Sequence, residues 1–258
     1  MPRGVSRIDE ARFQRRLWEP SVIRPTLWLD AADPSTVTIA TGVSEWRDKS
    51  GNGNHFSQAT SGSQPAYSVG TFDGKNVVTF DGTKNLNRGF ITFGDGDSSL
   101  YCVGNRTGRQ NSFNVAVMLS RANNRTRGIL FDFTGIRSWG TYTNVEVRSP
   151  ALTTVGTTYD IFGLFSNGTA NNYNFYRAGA NEGTAGVVNQ NTVFGTTSFI
   201  GNDQYNSALH GNVAEVVFFD GRNSDPDRQK VEGYLSWKWN LPLVATHPYA
   251  NRPPLIGD

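Results

Sequence analysis

The feature that most constrains this chain is a long succession of short β-forming runs, each closed by a turn rich in Gly, Asn or Asp. From Thr26 onward they begin with Leu27-Trp28-Leu29, Val43-Ser44-Glu45-Trp46, Val77-Val78-Thr79-Phe80 and Phe90-Ile91-Thr92-Phe93. Residues 113–119, 129–133, 159–165, 173–176 and 213–219 continue the series. In 113–119 the residues Phe113, Val115, Val117 and Leu119 alternate with Asn114, Ala116 and Met118, which predicts a strand with the first four on one face. Lys49-Ser50-Gly51-Asn52-Gly53-Asn54 and Gly94-Asp95-Gly96-Asp97 read as tight turns, where Gly and Asn accept positive φ. Strands this short at this spacing predict an all-β sandwich or barrel. A chain of 258 residues with 28 Gly and 12% aromatic residues fits one such domain, large enough to bury a core without disulfides.

The two ends differ from this pattern. In residues 1–25, Ser6 and Asp9 form a capping-box pattern, and helix formers then run from Glu10 through Trp18 to a stop at Pro20. Arg3, Arg7, Arg12, Arg15, Arg16 and Arg24 face only Asp9, Glu10 and Glu19, so this leader is basic. Phe13 and Leu17 lie four apart with Trp18 adjacent, giving the helix an apolar side. Arg12, Phe13, Arg15, Arg16, Leu17 and Trp18 are therefore read as a docking arm, for the chain's own domain or for a neighbouring subunit. Near the other end, Ser224 is placed to cap a helix with Asp225, Pro226 and Asp227 in its first turn. Val231, Tyr234 and Leu235 would be the buried stripe. The segment 241–258 carries Pro242, Pro248, Pro253 and Pro254 and is expected to wrap the surface in extended form. The organisation read from this is an arm at 1–25, a β domain at 26–240 and a Pro-rich tail at 241–258.

Charge and motif content remove several functions. A net charge of +2 carries no global nucleic-acid footprint, so nucleic acid is not an expected partner. No apolar run is long enough to span a bilayer, and the first residues lack the apolar stretch of a secretory signal, which implies synthesis in the cytoplasm. Cys102 is the single cysteine and reads as a small core residue. His55, His210 and His247 sit in loop contexts without ligand spacing and read as loop or surface residues. Glu146 and Glu215 are lone strand acids expected to face outward. Retaining glucanases need two carboxylates close together, and no strand here carries a Glu-x-Asp-x-(x)-Glu run of the kind that supplies them, so the expectation is no enzyme and no catalytic residue. Asp48, Asn52 and Asn54, Asp95 and Asp97, and Asn202 with Asp203 could offer oxygens to Ca²⁺. The same residues are normal turn formers, so no metal and no cofactor is assigned.

Several segments carry a family resemblance. Leu27-Trp28-Leu29-Asp30-Ala31-Ala32-Asp33-Pro34, then Trp46-Arg47-Asp48-Lys49-Ser50-Gly51-Asn52-Gly53-Asn54-His55-Phe56, then Val78-Thr79-Phe80-Asp81-Gly82 resemble the opening of bacterial and phage laminin-G-like, concanavalin A-like domains. Gly211-Asn212-Val213-Ala214-Glu215-Val216-Val217-Phe218-Phe219-Asp220 and Val231-Glu232-Gly233-Tyr234-Leu235-Ser236-Trp237-Lys238-Trp239 are similar to the family's end. These motifs bracket 27–240, while 95–200 matches only as a strand pattern. The resemblance implies a two-sheet antiparallel jelly-roll with a short N-terminal helical arm and one C-terminal helix. It also implies that Trp28, Trp46, Trp237 and Trp239 are packing residues.

Such domains occur in adhesins, polysaccharide-active proteins and phage structural proteins. The functional expectation is a virion protein, made in the host cytoplasm, that displays a lectin-like sandwich as a capsid decoration, head fibre or tail component. Its partners would be other virion proteins, through the arm, and host-surface glycan; a homo-oligomer stays open. The rivals are a free carbohydrate-binding adhesin and, behind it, a polysaccharide hydrolase or lyase. Sugar contacts use aromatic faces with amide and carboxylate groups, which singles out Trp139, Tyr142, Asn144, Tyr176, Asp203, Tyr205 and Asn206.

Overall fold

The computed structural model describes residues 16–94, 96–108, 113–121, 126–133, 139–142, 146–151, 154–168, 172–186, 196–203 and 205–258. A 3₁₀ turn at Pro20–Ile23 leads into β1 (Leu27–Asp30), β2 (Val37–Ile39), β3 (Val43–Trp46) and β4 (Phe56–Ser57). Next come β5 (Ala66–Phe72), β6 (Lys75–Asp81), β7 (Leu86–Arg88), β8 (Ser98–Arg106), β9 (Phe113–Ser120) and β10 (Thr126–Phe133). The short β11 (Gly140–Tyr142) and β12 (Glu146–Arg148) precede β13 (Asp160–Asn167), β14 (Asn172–Arg177) and β15 (Ala180–Gly186). After β16 (Ser198–Ile200) and β17 (His210–Phe219) the chain forms α1 (Asp225–Trp239).

These strands make two antiparallel sheets. One runs β15-β14-β13-β8-β17-β6-β5, with β1 also paired to β17. The other runs β12-β11-β10-β9-β16-β7-β4-β3-β2. The architecture is an all-β two-sheet sandwich with one α-helix among the described residues.

Strands β8 and β17 show why the continuous apolar runs in the sequence are double-faced. Leu100 and Cys102 point into the core between the sheets, with Leu29, Trp46, Phe80, Phe131 and Phe162. Their neighbours Tyr101 and Val103 point the other way, into a second cluster with Trp28, Phe165 and Val217 that Val231, Leu235 and Trp239 of α1 cover. A strand buried on both faces has no polar face to alternate with. Burial also drives the Cys102 thiol well above its usual range.

Three expectations about local structure are corrected. In β9 the alternation breaks: Ile129 pairs with Val117 but Leu130 pairs with Val115, a two-against-one bulge. Val117 and Leu119 therefore face the main core, while Val115 joins Met118 and Leu130 in a separate cluster. Residues 90–93 form no ladder strand, although Ile91 and Phe93 are buried and Phe90 and Thr92 exposed. Residues 16–18 are extended rather than helical, with Leu17 bridged antiparallel to Leu255. Both partners belong to chain ends, so this pairing is a tertiary event that local propensity does not contain.

Helix α1 begins as its sequence requires. The Ser224 Oγ accepts from the Asp227 N–H at 3.3 Å, and Asn240 closes the far end in the left-handed conformation. Replacing Ser224 by Ala should cost about 1 kcal/mol, read as a lowered urea midpoint at unchanged slope. The tail packs on this helix and on the first described residues. The Trp18 N–H donates to Pro254 O, and the Ile256 N–H donates to Arg16 O.

Candidate functional site

A cleft of about 990 Å³ opens where three sequence-distant segments meet: 24–26, 50–54 and 88–92. Its wall is built on Asp48, whose Oδ1 accepts the N–H groups of Trp28 and Ser50, both at 2.9 Å. Its Oδ2 accepts the Asn54 N–H at 2.9 Å and the Ser50 hydroxyl at 2.7 Å. One buried carboxylate thus winds the 48–54 loop around itself, an arrangement that Asp favours in turns. The side-chain amides of Asn52 and Asn54 donate across to the carbonyls of Pro25 and Thr26 at 2.8 to 3.1 Å. The third side comes from β7, whose Arg88 donates from Nη1 to Asn54 Oδ1 at 2.5 Å. Beyond Gly89, Phe90 is 47% exposed.

The electrostatics of the cleft are one-sided. Arg24 and Arg88 both line it, and none of its lining residues is acidic. Burial lowers the Arg88 guanidinium from its usual range, and the nearby Asp48 opposes that fall. Arg24 sits in the left-handed region at φ 53°, an uncommon conformation for a long side chain. A polar cleft with one apolar ring, amide-braced walls and a fixed guanidinium donor can hold a hydroxyl-rich ligand.

A second cluster of chemically active groups is closed to solvent. Glu215 of β17 is fully buried under α1, and the expectation that it faces outward is corrected. Its carboxylate accepts from Trp28 Nε1 at 2.7 Å, Trp239 Nε1 at 2.6 Å, Tyr234 Oη at 3.0 Å and Lys238 Nζ at 2.7 Å. Lys238 also meets Asp30 at 2.6 Å, and Lys49 links Asp30 to Asp33 at 2.8 and 3.0 Å. Burial raises the Glu215 pKa, with Lys238 opposing. Tyr234 is raised well above its usual value by burial and then by Glu215. The network ties α1 to β1 and β17. Glu146 lies in β12, and its side chain falls outside the described residues.

The residues singled out for sugar contact meet different fates. Trp139 is fully buried against Phe162 and Phe175, with its Nε1 donating to Glu182 at 2.6 Å, so it presents no face to a ligand. Tyr176 stands edge-on to Phe165, and the Arg228 guanidinium lies 4.1 Å over its ring. Asp203 is buried, its Oδ1 accepting the N–H groups of Tyr205 and Ser207. Tyr205 is 64% exposed and Asn206 is exposed beside it, but neither lines the cleft. The Tyr142 side chain and Asn144 fall outside the described residues.

In the arm, Arg12, Phe13 and Arg15 likewise fall outside them. Arg16 is exposed and Leu17 is 65% exposed, whereas Trp18 is buried edge-on to Tyr234 at 6.5 Å. Trp18 therefore packs on its own domain and is not free to reach a neighbour.

Two further expectations change. His247 is buried, not loop-exposed, with Nε2 3.0 Å from Glu232, which also pairs with Arg228 at 2.7 Å. Trp237 is half exposed and donates to Tyr249 O rather than filling the core. The oxygens considered for Ca²⁺ are engaged: Asp48 and Asp203 as above, and Asp97 by the Gly168 N–H at 2.9 Å. Asp95 falls outside the described residues.

Arg88 and Phe90 did not emerge from the sequence as site residues. Phe90 reads there as one beat of an alternating strand; the only local cue to the contrary is Gly89 between the two.

No protein-family model matches the chain, and no curated protein matches it in sequence. Solved structures do share the fold. Domain 4 of AbnA, a GH43 extracellular arabinanase from Geobacillus stearothermophilus, in complex with arabinotriose, aligns with TM-score 0.55 at 10% identity, over 78% of this chain and 94% of that one. A GH54 α-L-arabinofuranosidase aligns with TM-score 0.50 at 16% identity, covering 74% of this chain. The Trypanosoma rangeli sialidase in complex with sialic acid aligns with TM-score 0.50 at 12% identity, covering 82%. This chain spans 50% of the arabinofuranosidase and 33% of the sialidase, so it corresponds to a part of those proteins. The expectation of a non-enzyme is corrected by these similarities: the fold recurs in chains of glycoside hydrolases, and a missing carboxylate motif is no ground for excluding catalysis. At these identities the shared property is the fold: this chain is similar to β-sandwich domains of carbohydrate-active proteins.

Proposed function

We propose that this chain is a carbohydrate-binding β-sandwich whose ligand enters the cleft between Asn52, Asn54, Arg88 and Phe90. The carrying observation is the cleft itself, in which amide and guanidinium groups fixed by hydrogen bonds flank one exposed aromatic ring. The ring offers an apolar face to sugar C–H groups and the Arg88 guanidinium, braced by Asn54, meets hydroxyls, so little ordering entropy opposes binding. The structurally similar arabinanase domain in complex with arabinotriose and sialidase in complex with sialic acid support this class of ligand.

The test is binding of the full chain to a panel of oligosaccharides, with reducing-end release measured in the same samples so that turnover is scored too. Saturable binding that weakens about tenfold in Phe90→Ala is the expected result, because one aromatic contact is worth roughly 1 kcal/mol or more. Chelator should leave the affinity unchanged, since both Asp48 oxygens are already occupied by protein donors. A folded protein that binds no saccharide would refute the reading.

We further propose that the chain is a laminin-G-like domain displayed on a phage particle. This reading is supported by the order and spacing of the family-like segments between residues 27 and 240 and by the basic leader. Deleting residues 1–15, which spares the packing of Trp18, should prevent incorporation into particles. Normal incorporation would remove the docking role.

A further inference from the structure

We infer that the cleft selects an anionic saccharide, with a carboxylate or sulfate-ester group of the sugar held between Arg88 and Arg24. This rests on the glycan-binding reading and deepens it. Both arginines line the cleft, and neither has a carboxylate within ion-pair distance among the described residues. The contacts of Arg88 are all to neutral oxygens: Asn54 Oδ1 at 2.5 Å, and the carbonyls of Gly53 and Phe90 at 3.5 Å. Its Nε is buried with no partner, and Nη2 makes only the 3.5 Å contact.

A guanidinium carries five N–H donors and keeps its charge under all ordinary conditions. Half-buried Arg88 shares the cleft with Arg24. The one acid nearby, Asp48, is taken up by four protein donors, so two guanidinium charges face a single carboxylate and leave a net positive field. Such a field favours an anion over a neutral sugar.

Several other cations of the protein are paired with acids. Lys49 is shared by Asp30 and Asp33, Arg177 pairs with Asp160 at 2.6 Å, and Arg228 pairs with Glu232. In the cleft, by contrast, two arginines without an ion-pair partner among the described residues stand with Asn52, Asn54 and Phe90. The amides of Asn52 and Asn54 are already used in holding the 24–26 segment, so they fix the walls. Recognition of the anionic group falls to the arginines, and Phe90 supplies the apolar surface for the ring that bears it.

The experiment is calorimetric titration of the full chain with three ligands of matched length: a neutral oligosaccharide, a uronate oligosaccharide and a sulfated one. Each is run at about 50 mM and about 500 mM NaCl, because exposed charge contacts weaken as the screening length shrinks. The expected result is preference for one or both anionic ligands, at least about tenfold tighter than the neutral one and weakened by salt. The uronate and sulfate arms tell the two sources of anion apart.

Arg88→Gln should reduce this preference by about tenfold or more. Because Arg88 also braces Asn54, two exposed positions give independent checks: Arg24→Gln and Thr92→Glu, the second placing a carboxylate in the cleft. Both should weaken the anionic ligands and spare the neutral one. Equal binding of neutral and anionic ligands, unchanged in Arg24→Gln and Thr92→Glu, would overturn the anionic selection while leaving glycan binding intact. Binding of inorganic sulfate with no saccharide bound would overturn both.

Discussion

Glu215→Ala should destabilise the protein by about 3–5 kcal/mol, the range for removing one partner from a buried charge pair. The substitution strands Lys238 beside Asp30 alone and leaves the indole N–H groups of Trp28 and Trp239 without their acceptor in a site closed to water. Unfolding in urea, followed by tryptophan fluorescence, reads the loss directly, and on a total of about 5–15 kcal/mol it is a large fraction. Glu215→Gln keeps the shape and one acceptor oxygen and should cost less.

The pH dependence has a definite sign. Burial raises the folded-state pKa of Glu215, so the folded chain holds this proton to higher pH than the unfolded chain. Its contribution therefore favours folding at acid pH and is lost as pH rises from about 4 toward its raised value. Glu215→Gln should lack that component when stability is compared across about pH 4 to 7. A Glu215→Ala protein as stable as the parent would show that the network does not hold α1 to the sheet.

Gly201→Ala is the second large effect, expected at about 3 kcal/mol or more. Gly201 follows β16 at φ +80°, where a side chain costs roughly 1–3 kcal/mol. A Cβ there would also overlap the ring of Phe80, which reaches across from the other sheet. Overpacking of a core contact adds about 1–3 kcal/mol. The position cannot drift, because the Gly201 N–H donates to Ala116 O and its carbonyl accepts from Leu209, both at 2.9 Å. Gly221→Ala separates the two causes: it has φ +136° with open space around it, so only the backbone cost applies. Equal midpoints for the two variants in thermal or urea melts would show that the Phe80 contact contributes nothing.

Much of the sandwich could be read from residue order. The β-forming runs from Leu27 and Val213 became β1 and β17, and the Ser224 cap with Val231 and Leu235 became α1. The site was far less legible. Trp139 and Tyr176 look like sugar platforms in the sequence because an aromatic ring serves equally as core packing and as a face for sugar C–H groups. Burial decided against Trp139, and Arg228 covers Tyr176. Arg88 and Phe90 carry no local mark, because their cleft exists only once residues 24–26 and 50–54 arrive from elsewhere in the chain.

What the sequence determined by itself is local: strand-forming runs, turn chemistry at 48–54, the helix cap, and enough apolar residues for two layers. These follow from side-chain period and from short-range hydrogen bonds, which act within a few residues. Tertiary structure alone decided which face of each strand is covered. It placed α1 over Glu215, turning a lone strand acid into the acceptor for four donors. It shifted β9 by a bulge, sending Val115 and Val117 to different clusters. It also gathered two arginines into one cleft without giving either an ion-pair partner among the described residues. The physical reason is the same each time: burial and charge pairing are set by neighbours distant in sequence, and a residue's own type does not name them.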